Sequence, residues 1–148
     1  MAALIPMVLT APAMAKTTYS QWQGKVQASC YGPYEGECVT ATGKRITSKT
    51  KYIAVPREKI VSKATWKKLG KASKSRFFYY GERVQLKHKV GKRTYYCTAT
   101  VEDCGGFGGC GCSTASGTWI PRMFDCTPAV FKALHFSGVA TVSWRYVK

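Results

Sequence analysis

The chain has 148 residues, with 23 Lys and Arg against 7 Asp and Glu, and a formal net charge of +16. Its length and its hydrophobic content of 45% fit one globular domain with a real core, and they argue against a disordered chain. Charge this lopsided predicts attraction to polyanions, the alternative being a solvated surface that the charge keeps soluble.

The first fifteen residues differ from the rest. Met1 to Thr10 is apolar and uncharged, and Ala13-Met14-Ala15 has the small-x-small pattern of a signal-peptidase site. We therefore predict a signal peptide at 1–15 and a single mature domain at 16–148. No basic residues precede the apolar core, which leaves open a start upstream of Met1. A membrane anchor is the competing interpretation, but about twelve apolar residues are too few to span a bilayer.

Export changes how the charge and the cysteines are interpreted. A secreted, basic protein of the cell envelope meets anionic wall polymers before it meets nucleic acid, so we expect the former as partners of the basic surface and not the latter. Outside the cytosol the seven cysteines predict disulfides, with one thiol left over. Cys30 and Cys38 stand at the two ends of a glycine-rich loop at 32–37, and a disulfide across that loop is expected.

A metal site is not expected. The cluster of Cys104, Cys110 and Cys112 lacks the repeated Cys-x2-Cys or Cys/His spacing of structural zinc sites. The sequence also contains no motif for a small-molecule cofactor. Its glycines after Asp103 are not followed by the Gly-Lys-Ser/Thr of a phosphate-binding loop.

Short strands separated by glycine turns dominate the rest of the chain. The basic, amphipathic helix at 58–69 forms an insertion near 57–70, either in contact with a membrane or polyanion or packed on the barrel with solvated lysines. His88 is predicted to lie on the surface, and His135 to have a packing or capping role. Strands are predicted at 22–31, 39–44, 51–56, 84–90, 93–101 and 138–147, helices at 58–69 and 128–136, and a loop at 104–118.

The chain has only two aspartates, and both are predicted at element boundaries. Asp103 ends a strand and enters the turn Gly105-Gly106. Asp125 precedes a helix start with Thr127 as N-cap and Pro128 at the first helical position. Side chains from separate segments can converge on one cleft at such boundaries. The alternative is that Asp103 forms the turn and Asp125 holds the helix end.

Seven short motifs follow one another along the chain. They are Cys30-Tyr31-Gly32, Thr40-Ala41-Thr42-Gly43, Ile53-Ala54-Val55-Pro56, Gly81-Glu82-Arg83-Val84, Val101-Glu102-Asp103-Cys104-Gly105-Gly106, Phe124-Asp125 and Gly138-Val139-Ala140-Thr141-Val142. Their order resembles the double-psi β-barrel superfamily. The nearest likeness is to the triple-aspartate (3D) domain of lytic transglycosylase A-like wall proteins, with rare lipoprotein A, the expansin N-terminal domain and barwin more distant. The resemblance implies a mainly β fold, a six-stranded double-psi β-barrel with one or two short helices.

The resemblance also implies a function. The chain keeps the second and third aspartates of the domain as Asp103 and Asp125, and it has none in the Ile53 to Pro56 segment. A lytic transglycosylase needs one acidic residue as acid and then base, because the muramic 6-hydroxyl is the nucleophile. Asp103 would have that role on peptidoglycan or a related β-1,4 glycan, with Asp125 as the second catalytic residue. The substrate-binding residues expected around them are Tyr31, Thr42, Gly43, Gly105, Gly106 and Trp119.

Two other functions stay open. An expansin-like or barwin-like module would bind wall polysaccharide without cutting it, with aromatic side chains as stacking platforms. A secreted basic protein that targets nucleic acid or membrane would use the same lysines and aromatics, but it leaves the aspartate motifs unexplained. The candidate platforms are Trp22, Tyr31, Tyr34 and Trp119.

Overall fold

The computed structural model describes residues 2–9, 11, 15–31 and 38–148. The loop predicted at 32–37, Tyr34 included, and most of the predicted signal-peptidase motif lie outside these residues. The strands are β1 (Gln23–Cys30), β2 (Tyr52–Pro56), β3 (Arg83–Val90), β4 (Arg93–Gly105), β5 (Gly111–Ser113), β6 (Trp119–Cys126) and β7 (Val139–Tyr146). The helices are a 3-10 turn at Arg57–Lys59, α1 (Lys63–Lys68), α2 (Lys71–Lys74) and α3 (Pro128–Ala133).

Six strands close into a barrel of mixed direction. They follow the order β1-β7-β3-β4-β2-β6, and β6 pairs back to β1. The pairs β1–β6 and β2–β4 are parallel, whereas the other four pairs are antiparallel. β5 adds to β6 outside this ring. The predicted mainly β, six-stranded barrel is confirmed, with three short α-helices where one or two were predicted.

The core fills the barrel with residues from every strand of the ring. The alternation predicted for the last strand is confirmed, because Val142, Trp144 and Tyr146 are buried while their neighbours face outward. Trp144 meets Phe78 and Phe124 at ring-centroid distances of 5.1 and 5.6 Å. Fully burying a side chain of this kind contributes roughly 1.5–3 kcal/mol, so these three rings are a main source of stability.

Two of the predicted elements are wrong. The segment 39–44 is a turn closed by a single bridge between Val39 and Arg45, and not a strand. The predicted helix at 58–69 is interrupted. Ile60 is extended and bridges to Phe78, and the Ser62 hydroxyl then accepts the Thr65 N–H to begin α1. The predicted loop at 104–118 contains β5.

The basic helix is packed on the barrel. Trp66 of α1 lies edge-on to Tyr79 and Tyr146, with centroids 5.1 and 5.3 Å away, and its indole N–H donates to the Phe77 carbonyl. Lys67 and Lys68 are exposed, whereas the ammonium groups of Lys63 and Lys74 lie over the Tyr79 and Trp66 rings, 5.6 and 4.8 Å from the ring centroids. In the part of the chain that the structure describes, no helix is both long and apolar enough to cross a membrane.

The histidines both pack at the end of α3. His88 is half-buried and not on the open surface as predicted, because its Nδ1 lies 2.7 Å from the Leu134 carbonyl oxygen and its ring meets Phe136. His135 follows the helix with φ 55° and stacks on Tyr95 at 3.8 Å. The packing role predicted for His135 is confirmed.

One carboxyl is buried in the core region without a full set of partners. Glu82 is 1% exposed; its Oε2 lies 3.4 Å from the Tyr79 N–H, and its Oε1 has no hydrogen-bond partner. Burial raises the pKa of Glu82 from 4.5 to about 8. The folded protein therefore holds this carboxyl protonated at neutral pH.

We predict that Glu82 makes the protein less stable as pH rises. The unfolded chain releases this proton near pH 4.5 and the folded chain near pH 8, so between these values the free energy of unfolding falls by up to about 1.4 kcal/mol per pH unit. Urea unfolding between pH 5 and about pH 8 measures the slope. Glu82→Gln, which cannot ionise, should remove this share of it; identical slopes for variant and wild type would contradict the assignment.

Candidate active site

The two aspartates lie in one row across three strands. Ala54 of β2 pairs with Asp103 of β4 on one side and with Asp125 of β6 on the other. Asp125 in turn pairs with Ser29 of β1. Neighbouring strands are about 4.8 Å apart, which puts the two aspartate Cα atoms roughly 10 Å apart. We call Asp103, Ala54, Asp125 and Ser29 the aspartate row.

The row lies on the outer face of the barrel. Phe124 and Cys126, the chain neighbours of Asp125, are fully buried, so alternation along β6 directs Asp125 outward. On β2 the flanking residues Ile53 and Val55 belong to the core in the same way, and Ala54 does not. The pairing places on either side of Ala54 two aspartates that are 22 positions apart along the chain.

A β-bulge precedes each aspartate. In β4 the bulged residue is Glu102, because Ile53 pairs with Val101 whereas Ala54 pairs with Asp103. In β6 a second irregularity in the pairing with β1 leaves Met123 without a partner. Bulges of this kind redirect side chains and are common beside active sites. Here the first bulge lets Asp103 take its outward place in the row.

Asp103 is held by three hydrogen-bond donors. The Tyr31 hydroxyl donates to Oδ2 at 2.5 Å, and the backbone N–H groups of Ala41 and Cys104 donate to Oδ1 at 2.9 Å each. Burial, and then the hydrogen bond and negative charge of Asp103, raise the pKa of Tyr31. The phenol therefore stays protonated and acts as a donor. Three donors hold the carboxylate in a single orientation.

Asp125 has a different environment. Among the described residues Ser29 is its hydrogen-bond donor, at 2.9 Å from Oδ1. Burial raises the pKa of Asp125, and the charge of Asp103 adds to the rise, while Ser29 and the cation of Arg122 oppose it. Asp125 does not hold the helix end, because α3 starts at Pro128, after Thr127 as the N-cap residue, and no side-chain hydrogen bond caps it. Its carboxyl is thus left for other contacts.

Glu102 is the residue that the sequence interpretation missed. Its side chain is 3% exposed; Oε2 accepts the Thr42 hydroxyl at 2.7 Å, and Oε1 lies 2.6 Å from the Lys44 ammonium. These contacts pin residues 40–44 onto β4, where Gly43 turns the chain with φ 81°. This turn supplies the Ala41 N–H to Asp103. The sequence did contain a signal for this residue, because Glu102 directly precedes Asp103 in the same motif.

The remaining predicted site residues fall in two places. Thr42 and Gly43 reach the row through Glu102, and Gly105 and Gly106 follow Asp103 at the end of β4. A Cβ on Gly105 would come within 2.8 Å of the Phe107 ring, which explains a glycine there. Trp119 is 53% exposed but starts β6, six residues and about 20 Å from Asp125. The structure does not bring Trp119 to the aspartates.

Trp22, a predicted stacking platform, is engaged elsewhere. Its ring lies 4.1 Å from the Lys87 ammonium and 4.2 Å from the Arg145 guanidinium, on the side of the barrel formed by β3 and β7. Cations this close to an indole are attracted by its π face. The ring is not free for a sugar at the aspartate row.

All seven cysteines are free thiols, so the predicted disulfides, including one between Cys30 and Cys38, are absent. The fold explains this for the predicted pair: Cys30 ends β1 in register with Cys126, whereas the Cys38 carbonyl accepts the Ile46 N–H on a separate turn. Cys97 and Cys126 are buried in the core. Within the described ranges, no three His, Cys, Asp or Glu side chains gather in a way that could hold a metal ion.

No protein-family model matches the chain, and no curated protein sequence is significantly similar to it. Its function therefore has to be argued from the geometry of its own residues.

We predict that Glu102→Ala disorders the site from a distance. The change removes the carboxylate that accepts the hydrogen bonds of Thr42 and Lys44 in the turn, and it should lower the free energy of unfolding by about 1–3 kcal/mol. Urea unfolding measures this loss. Glu58→Ala, at an exposed carboxyl, is the matched control and should change it by less than about 0.5 kcal/mol. Equal effects of the two variants would mean that Glu102 does not hold the turn.

Proposed function

We propose that the chain is an exported, cell-wall-active protein that cleaves peptidoglycan or a related β-1,4 glycan by a lytic transglycosylase-like reaction. The observation that carries the proposal is the aspartate row, in which Asp103 and Asp125 flank Ala54 on the outer face of the barrel. Carboxyls from separate strands, in different environments, are what proton transfer to and from a sugar requires.

The fold is compatible with the barrel of the wall-active proteins that the sequence motifs resemble. A closed six-stranded barrel with parallel pairs at β1–β6 and β2–β4 is compatible with a double-psi β-barrel. The fold alone does not identify an activity. It adds to the motif order that suggested wall-active proteins in the first place.

The two carboxyls suit different steps. Breaking a glycosidic bond requires an acid that protonates the leaving oxygen. Asp125 fits this step, because burial and the nearby charge of Asp103 raise its pKa and favour the protonated form. Asp103, fixed by Tyr31, Ala41 and Cys104, fits the acceptance of a proton from the attacking hydroxyl. This division differs from the sequence-based assignment, which gave both steps to Asp103.

The surrounding residues would bind the glycan. Tyr31 and the turn at Thr42 and Gly43 border the aspartate row, and Gly105 and Gly106 extend that border. Trp119, about 20 Å away along β6, would contact a sugar unit further along the polymer.

A wall-polysaccharide-binding module without catalysis is the second candidate. One observation favours it: Oδ1 of Asp103 accepts the backbone N–H groups of Ala41 and Cys104, which is what a carboxylate that only stabilises a turn would do. Binding would then use the same border residues, and Asp125 would have no chemical role.

Purified peptidoglycan, with anhydromuropeptides detected by mass spectrometry, separates the two candidates. We expect products from the wild type, and a loss of about 10²-fold or more from Asp125→Asn and from Asp103→Asn, the size of a general acid or base contribution. Glu58→Gln, an exposed acid that is not part of the row and whose carboxyl lies beside Gly108, is the control and should be as active as the wild type. Retention on sacculi without products from any of the four proteins would refute cleavage and support binding.

The pH profile tests the role of Asp125. A general acid must be protonated, so activity should fall as pH rises through the pKa of Asp125. The Ser29 hydrogen bond lowers that pKa, and Ser29→Ala should therefore move the alkaline limb of kcat/KM to higher pH. Ser116→Ala, at an exposed serine, should leave the limb in place. A shift to lower pH, or none, would contradict Asp125 as the acid.

A further inference from the structure

One side of the barrel carries no acidic residue among those that the structure describes. Strands β1, β3 and β7 contain neither Asp nor Glu, and the two acids of β4, Glu102 and Asp103, lie at its far end. The outer face here is built from basic and hydroxyl side chains. The seven acids could be distributed among the 23 bases over the whole surface. Their absence from this face makes the face a candidate binding surface.

The strand register gathers these side chains into a cavity. Lys87 of β3 pairs with Tyr96 of β4 and with Ser143 of β7, and Lys89 pairs with Thr94 in the next outward row. The cavity has a volume of about 480 Å³, within the roughly 300–1,000 Å³ range of ligand sites. We call it the lysine cavity; it is lined by Lys25, Lys87, Lys89, Thr94, Tyr96, Thr141, Val142 and Ser143.

Among the residues that the structure describes, the three lysines have no acidic partner. Within the described part of the chain the one salt bridge joins Lys44 to Glu102, on another side of the barrel. Lys25 and Lys89 are exposed, and Lys87 is half-buried. Three ammonium groups around one cavity repel each other, and an anion placed between them would relieve that repulsion.

Part of the surface is already ordered. The Lys87 ammonium sits 4.1 Å from the Trp22 ring centroid, and the Arg145 guanidinium stacks on Tyr19 and Trp22 at 3.9 and 4.2 Å. The Arg145 Nε–H also donates to Gln85 at 2.8 Å. Side chains held in this way lose less entropy when a ligand binds.

We propose that the lysine cavity binds a phosphodiester polymer of the polyol-phosphate type, one without nucleobases. Ammonium groups act as point charges for phosphate oxygens, and threonine, serine and tyrosine hydroxyls donate to the same oxygens. The cavity offers three lysines and four hydroxyls in adjacent rows. Most of its lining residues are exposed, which suits a segment of a long polymer better than an enclosed metabolite.

The aromatic residues argue against nucleic acid as the ligand. Single-stranded nucleic acids gain much of their affinity from bases stacked on free aromatic faces. The nearby rings of Trp22 and Tyr19 are covered by Arg145 and Lys87. Tyr96 is 53% exposed, but it is tilted against Trp22 and is the single ring in the cavity lining.

This inference does not depend on glycan cleavage. In the ring of strands, β7 and β3 lie across the barrel from β2 and β6, which carry Ala54 and Asp125. Asp103 lies on β4, roughly 23 Å along the strand from Tyr96 of the cavity. Substitutions in the lysine cavity therefore test polymer binding without changing Asp103 or Asp125.

The test is binding of a fluorescent poly(glycerol phosphate) to the full chain at several salt concentrations. Changing Lys25, Lys87 and Lys89 together to Gln should weaken binding by roughly ten-fold or more. A plot of log K against log salt has a negative slope, and its magnitude should decrease by about two in this variant. Each of the three lost lysine contacts contributes roughly 0.7 to the slope for a single-stranded polyanion. The control changes Lys49, Lys67 and Lys68 to Gln, which removes the same charge at exposed sites outside the cavity. It should bind almost as well as the wild type.

Three results would overturn the proposal. An equal loss in both triple variants would mean that net charge alone attracts the polymer. Tighter binding of an oligothymidylate of equal charge would favour nucleic acid. Unchanged binding by a Lys25→Gln, Lys89→Gln double variant, which spares the contact of Lys87 with Trp22, would exclude the cavity even if the triple variant failed to fold.

Discussion

The position of β2 between β4 and β6 is the constraint on which the site depends. β2 has only five residues, yet it pairs parallel to β4 and antiparallel to β6. Its core residues Ile53 and Val55 set that register, because a slip of one residue would turn them outward and Ala54 inward. The same slip would separate Asp103 from Asp125. Hydrophobic burial on one face of β2 thus fixes the polar row on the other.

The barrel also places acidic and basic side chains on different parts of its surface. Five of the seven acids are described by the structure, and those with a place in the strands lie on β4 and β6 near the aspartate row. The lysine cavity lies on β1, β3, β4 and β7, and the residues of β4 that line it are at the opposite end of that strand from Asp103. A polyanion bound there would therefore not place its negative charges beside the carboxyls. The proposed binding surface and the proposed site of proton transfer are separate.

Local patterns predicted the features that depend on local residues. Alternation along residues 139–146 predicted which side chains enter the core, and glycines after Asp103 predicted the end of its strand. What failed depended on partners distant in sequence. The break at Ile60 requires Phe78, and the half-burial of His88 requires Leu134. The turn at 40–44 depends on Glu102, which no periodicity in that segment reveals.

The small side chain of Ala54 limits which amino acids position 54 can accept. The residue is 4% exposed and has no atoms beyond Cβ, so the two carboxyl residues beside it lie against a side chain that occupies almost no volume. Any longer side chain would have to be accommodated in a closely packed row, at a typical cost of about 1–3 kcal/mol. Position 54 should therefore accept little beyond glycine, alanine and serine in functional variants. A saturation library at position 54 would show which side-chain volumes are tolerated between Asp103 and Asp125.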